Sequence, residues 1–185
     1  DISWSDYRRD ARSVAKAFIK LGLEPGAGVS IIGYNCAQWF LADIGAILAG
    51  GVPEGIYTTC STEQCQYITD HCDAGVVVVE NAEQLAKFKA IREQLPKVKA
   101  FVLMTGEDPD GEAVTWDALL EMGSAESDDA LQARLDAQKP DDVCTLIYTS
   151  GTTGPPKAVM ITHTNVIWTA DTAMQLIQGG PEDVL

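Results

Sequence analysis

Apolar residues recur along this chain with helical and strand periods in turn. Tyr7, Ala11, Val14, Phe18 and Leu21 follow at steps of 4, 3, 4 and 3, which marks one face of a helix. Ser3-Trp-Ser-Asp6 ahead of them is a candidate capping box, Gly22 a stop, and Pro25-Gly26 a turn. Val29 to Gly33 reads as a short strand. Asn35-Cys-Ala-Gln38 offers a second capping box, for a helix over Cys36–Ala49 that is apolar nearly all round, as buried helices are. Val52 to Tyr57 reads as a strand, with Pro53 marking its start or an edge.

The alternation continues. Ser61-Thr-Glu-Gln64 opens a helix to about Cys72, and Ala74–Val79 is a continuously apolar strand of the kind found in parallel sheets. Asn81-Ala-Glu-Gln84 opens a helix to about Leu95, which Pro96 ends, and Val98 to Met104 is the next strand. Thr105–Gly111 reads as an acidic turn, and Thr115–Met122 and Asp128–Gln138 read as helices after it. Val143–Tyr148 and Ala158–Thr162 read as strands, and Thr162 or Thr164 caps a last helix to about Gln178. Helices alternating with apolar strands predict an α/β fold with a mainly parallel sheet flanked by helices. The expected division is an α/β region over residues 1–140, then strand, loop, strand and helix over 141–185.

Composition narrows the possibilities. A chain of 185 residues with 46% hydrophobic content can bury one domain-sized core. The formal net charge of −14, with no Lys/Arg cluster, excludes nucleic-acid binding through a basic face and a polybasic membrane patch. The five cysteines lack the C-x₂-C spacing of zinc sites. Cys60, Cys65 and Cys72 with His71 are a weak candidate metal cluster against the commoner outcome of small buried thiols. Reduced thiols fit the cytosol, so a cytoplasmic location is expected, with peripheral membrane contact left open. No apolar run reaches transmembrane length.

The chemistry concentrates between the last two strands, in Thr149-Ser150-Gly151-Thr152-Thr153-Gly154-Pro155-Pro156-Lys157. Glycines let backbone N–H groups approach phosphate oxygens, hydroxyls donate hydrogen bonds, and the lysine supplies a positive charge. It is not a Walker A loop. Gly151 and Gly154 are too close, Lys157 is not next to Gly154, Ala158 stands where a magnesium-binding hydroxyl belongs, and a strand follows instead of a helix. No G-x-G-x-x-G is present either. A plain hairpin turn is the bland alternative.

This stretch resembles the phosphate-binding signature of the adenylate-forming enzymes, [ST]-S-G-T-[ST]-G-x-P-K-G. Ala158 departs from it where glycine is usual; alanine there is strained only if its φ is positive. Leu23-Glu-Pro-Gly-Ala-Gly-Val29, the helix bearing Asn35 and Trp39, Ala49-Gly-Gly-Val-Pro53, Gly55-Ile-Tyr-Thr-Thr59 and Cys65-Gln-Tyr-Ile68 are similar to the long-chain acyl-CoA synthetases, the bubblegum-type branch in particular. The resemblance implies the first portion of that family's large N-terminal domain. The adenine pocket, catalytic lysine and C-terminal domain would lie beyond Leu185, so the rest of its own chain is an implied partner and the segment alone would be inactive.

The implied activity is ATP-dependent conversion of a long-chain fatty acid to acyl-adenylate and then acyl-CoA, with fatty acid, ATP, Mg²⁺ and coenzyme A as substrates and cofactors. Thr149 to Lys157 would bind the triphosphate, and Thr149 would contact the magnesium. Adenylation of another carboxylic acid, or a non-catalytic module retaining the fold, are the alternatives. No base is required of this segment, since a carboxylate nucleophile is already ionised. His163 reads as a helix-start residue packed near the loop, His71 as part of a solvated helix end, and Trp39, Trp116 and Trp168 as core.

Overall fold

Strands apolar on both faces need cover on both sides, and this chain supplies it. The computed structural model describes residues 2–149 and 155–177. Along the chain run α1 (Trp4–Lys20), β1 (Gly28–Ile32), α2 (Ala37–Leu48), β2 (Val52–Ile56), α3 (Thr62–His71), β3 (Ala74–Val79), α4 (Ala82–Ala90), β4 (Ala100–Leu103), β5 (Ala113–Thr115), α5 (Trp116–Ser124), α6 (Asp129–Ala137), β6 (Val143–Thr149), β7 (Lys157–Thr162) and α7 (His163–Ile177). The sheet order is β5-β4-β3-β1-β2-β6-β7. Every neighbouring pair is parallel except β6 with β7, which form an antiparallel hairpin.

Strand alternation divides the core in two. Val29, Ile31, Val76, Val78 and Val102 face α1, α2, α5 and α6, with Phe18 and Leu119 fully enclosed among them. Ile32, Ile56, Val77, Val79, Phe101 and Leu103 face α3 and α4, around Phe88. Gly123 of α5 lies directly on α1: a Cβ there would sit 1.7 Å from the Ser13 carbonyl oxygen. Backbone cannot rotate aside as a side chain can, so the helices would have to part. Gly123→Ala should therefore destabilise by about 1–3 kcal/mol, despite alanine's higher helix propensity. A denaturant midpoint checks this; an unchanged or raised midpoint refutes the close crossing.

Local signals explain most of the helix starts. The Ser3 hydroxyl accepts the Asp6 N–H, the Asn81 side chain accepts the N–H groups of Glu83 and Gln84, and Ser61 with Gln64 forms a complete capping box. The box expected at Asn35 does not form. Cys36, in extended conformation, is the N-cap of α2 and makes no side-chain cap bond. Thr162, not Thr164, caps α7: its hydroxyl accepts the Asn165 N–H while Asn165 Oδ1 accepts the Thr162 N–H. The Thr164 hydroxyl donates to the Pro140 carbonyl instead.

Other expectations need adjustment. The α4 helix stops at Ala90, and Arg92–Gln94 form a single 3₁₀ turn before Pro96. β5 is a strand that periodicity does not reveal: at three residues it is too short to show alternation. Asp108 ties down the connection leading to it by accepting the N–H groups of Glu112 and Ala113 and pairing with Lys89 at 2.6 Å. Pro53 lies near the start of β2 but not on an edge, since β2 is flanked by β1 and β6. Ala158 is an ordinary strand residue opposite Tyr148, so the missing glycine costs no backbone strain. Trp168, expected in the core, is 69% exposed. Among the described residues no helix is long and apolar enough to cross a membrane.

Candidate active site

β1, β2, β3 and β6 are parallel, so their carboxyl ends share one edge of the sheet. Ligands of open α/β sheets bind along that edge. Thr149 ends β6 and Lys157 begins β7, and the hairpin register pairs these two residues directly. Cross-strand partners have Cβ atoms about 4.5–5.5 Å apart, so the first and last residues of the glycine-rich stretch are neighbours. Both are exposed, as is Pro155, while Pro156 is half-buried. Ser150, Gly151, Thr152, Thr153 and Gly154 lie outside the described residues.

Two depressions flank this edge. One, of about 750 Å³, is lined by Tyr34, Trp39, Asp43, Tyr57, Thr145 and Ile147, among others. Trp39, half-buried, packs against the core and also walls this cleft. Asp43 has no hydrogen bond or ion pair among the described residues, and burial raises its carboxyl to about 6. The second, of about 560 Å³, lies against α3 and includes Gln64, Ile68, Tyr148, Thr149 and Pro156. Tyr57 and Ile147 line both depressions. The Lys87 ammonium donates to the carbonyls of Thr58 and Cys60, which pins the turn after β2.

His71 is the last residue of α3 and exposed, as a solvated helix end implies, and it also makes a specific contact. Its Nδ1 is 2.7 Å from the Tyr148 hydroxyl, and its ring stacks on Tyr67 one helical turn earlier. Burial pushes the Tyr148 hydroxyl well above its ordinary pKa. The Tyr67 hydroxyl donates to the Pro156 carbonyl at 3.2 Å. The i, i+4 spacing of Tyr67 and His71 puts them on one face of α3, but spacing alone says nothing about what that face meets.

Beneath the site, Glu54 of β2 is fully buried with Ser30, Thr69 and Cys72 around it. The Ser30 hydroxyl bonds one Glu54 oxygen, and the other oxygen has no protein partner. Burial raises this carboxyl to about 8. His163 begins α7 at the far end of β7, a six-residue strand or about 20 Å from Lys157. It lines a hollow with Arg134, Gln138 and Asp142, which removes it from the loop. No cluster of three or more His, Cys, Asp or Glu side chains is placed to hold a metal among the described residues. Cys65 and Cys72 are buried thiols.

The glycine-rich stretch thus hangs from paired strand ends at the ligand edge of a parallel sheet. The AMP-binding enzyme family matches this chain over residues 1–185. The long-chain-fatty-acid–CoA ligase ACSBG2 of Xenopus laevis is 45% identical over 179 residues, covering 96% of this chain and 24% of the relative. ACSBG1 of Homo sapiens is 44% identical over 171 residues, covering 91% and 24%. The chain therefore spans about a quarter of the length of these curated relatives.

Among solved structures, the anthranilate CoA ligase AuaEII in complex with anthranoyl-AMP is 26% identical, with a TM-score of 0.73 over 90% of this chain and 31% of that one. ATP-bound MatB from Rhodopseudomonas palustris, at 22% identity, shares the fold with a TM-score of 0.77 over 98% and 34%. With the family match running from the first residue to the last, this chain belongs to the AMP-binding enzymes.

Proposed function

We propose that these residues form the triphosphate-binding part of a ligase that activates a long-chain fatty acid with ATP and then transfers it to coenzyme A. The observation that carries this reading is the pairing of Thr149 with Lys157 at the carboxyl edge of the parallel sheet, on either side of Ser150-Gly-Thr-Thr-Gly154. The relatives named long-chain-fatty-acid–CoA ligases support the choice of acid.

In the first half-reaction a carboxylate oxygen bonds to the α-phosphorus, the bond to the β-phosphate breaks, and pyrophosphate leaves. In the second, the coenzyme A thiolate attacks the acyl carbon and AMP leaves. Negative charge grows on the departing pyrophosphate, and preorganised donors stabilise it most where water is excluded. The Lys157 ammonium, the hydroxyls of Thr149, Ser150, Thr152 and Thr153, and the backbone N–H groups of Gly151 and Gly154 would provide those donors.

Magnesium, when bound, neutralises phosphate charge. The exposed Thr149 hydroxyl is a hard oxygen donor of the type it takes, with the remaining ligands coming from phosphates and water. A cytoplasmic reaction with peripheral membrane contact fits a lipid-soluble acid and free thiols.

The full-length protein is expected to exchange labelled pyrophosphate into ATP when given a long-chain fatty acid. Exchange only with short-chain or aryl acids would move the acid preference. Silence with every carboxylic acid would overturn the ligase reading in favour of a non-catalytic module.

A further inference from the structure

Building on this ligase reading, we infer that Tyr67 and His71 of α3 are positioning residues that clamp the two strand ends from which the triphosphate-binding stretch hangs. Each holds one end. His71 Nδ1 meets the Tyr148 hydroxyl at 2.7 Å, one residue before Thr149. The Tyr67 hydroxyl donates to the Pro156 carbonyl at 3.2 Å, one residue before Lys157.

The clamp is itself braced. The Tyr67 and His71 rings stack with centroids 5.4 Å apart and planes at 28°, and the His71 ring meets Tyr148 edge-on at 5.7 Å. Tyr148 is 7% exposed and packs in the core shared with Ile68 and Cys65 of the same helix. The α3 helix is in turn fixed at its start by the complete capping box of Ser61 and Gln64.

The reason for such a device lies in where the hairpin is tied to the parallel sheet. β6 registers on β2 at Glu54 and Leu146, with the Thr145 hydroxyl donating to the Pro53 carbonyl, and it registers on β7 at six positions. Those ties to β2 lie short of the strand ends at Thr149 and Lys157. Two side-chain bonds from α3, one to Tyr148 of β6 and one to Pro156 just ahead of β7, help fix the place where Thr149 and Lys157 present their hydroxyl and ammonium. Donors act on a transition state only when held in place beforehand.

The test compares Tyr67→Phe, His71→Leu and Tyr148→Phe in the full-length protein without ligand. Each removes one hydrogen-bonding group and keeps an apolar side chain. Amide hydrogen exchange at Thr149 and Lys157 should quicken by about 3–10-fold in each, as loss of one neutral hydrogen bond implies. Protection of β1 and β3 should stay unchanged. His71→Asn keeps a polar atom near the Nδ1 position and should restore protection.

In pyrophosphate exchange, the KM for ATP should rise by a similar factor while the KM for the acid stays fixed. Unchanged exchange at the two strand ends, or equal quickening throughout the sheet, overturns the clamp. If the parent protein shows no pyrophosphate exchange at all, the ligase reading fails, and hydrogen exchange still decides whether the clamp exists.

Discussion

Stability is expected to fall as pH rises from about 4.5 to about 8, and Glu54→Gln should remove most of that fall. Glu54 is buried in β2, and burial lifts its carboxyl from 4.5 to about 8. Between those values the folded state holds a proton that the unfolded state has released. The folded-state pKa is the raised one, so the stabilising contribution is complete below 4.5 and is lost as pH climbs through 8. At 1.36 kcal/mol per pH unit the ceiling is about 5 kcal/mol.

The surroundings of Glu54 supply little to hold a charge. The Ser30 hydroxyl lies against both Glu54 and Thr69, and its one proton can serve only one of them. In the protonated acid the second carboxyl oxygen, without a protein partner, is a neutral carbonyl rather than half of an unpaired charge. Asp43, raised to about 6 by burial, pulls the same way but is partly exposed and weaker. Asp6, Asp108 and Asp128 are lowered by hydrogen bonds from Ser3, Lys89 and Arg12 respectively, so their contributions are lost in more acidic solution. Denaturation curves at pH 5 and pH 8 check the point. Parallel behaviour of wild type and Glu54→Gln would show that Glu54 ionises normally.

Lys157→Ala is expected to slow the first half-reaction by about 10–1,000-fold, the cost of losing one preorganised charge donor. Lys157 is exposed, begins β7, and makes no salt bridge or side-chain hydrogen bond among the described residues. Its charge is therefore available to a ligand rather than spent on the fold. Because it carries so little structure, its removal should leave stability within about 0.5 kcal/mol. That separates a chemical effect from a folding one. Lys157→Arg keeps the charge but changes its reach, and should recover part of the rate. Pyrophosphate exchange and a thermal midpoint, measured together, decide this: a normal rate takes Lys157 out of the site, and a large midpoint shift makes its role structural.

What the sequence makes legible follows from the range of each interaction. N-caps at Ser3, Ser61 and Asn81 involve residues within one turn of each other, and these form, with the reciprocal box closing at Ser61 and Gln64. The box at Asn35 has the same letters, yet Cys36 takes the cap position, since three-residue motifs match by chance. Continuous apolar runs gave away the parallel strands, and their alternation with helices gave the architecture.

The loop's boundary strands were readable from β-branched residues on both sides of the glycines. The clamp was not. Tyr67 and Pro156 are 89 residues apart, and His71 and Tyr148 are 77 apart. Glu54 is intermediate: an acid inside an apolar strand is visible, but its Ser30–Thr69 surroundings depend on how β1, β2 and α3 meet. β5 shows the lower limit, since three residues carry no period.

The strand order has a consequence for the growing chain. The outer edge of β2 is completed by β6, which is made roughly 90 residues later, after β3, β4 and β5. At about 5–20 residues per second that edge stays open for roughly 4–17 s. An open apolar strand in a nascent chain invites pairing with the wrong neighbour, and charge is a common deterrent. Before α3 covers β2, an exposed Glu54 would carry such a charge; burial beside Ser30, Thr69 and Cys72 then favours its protonated form.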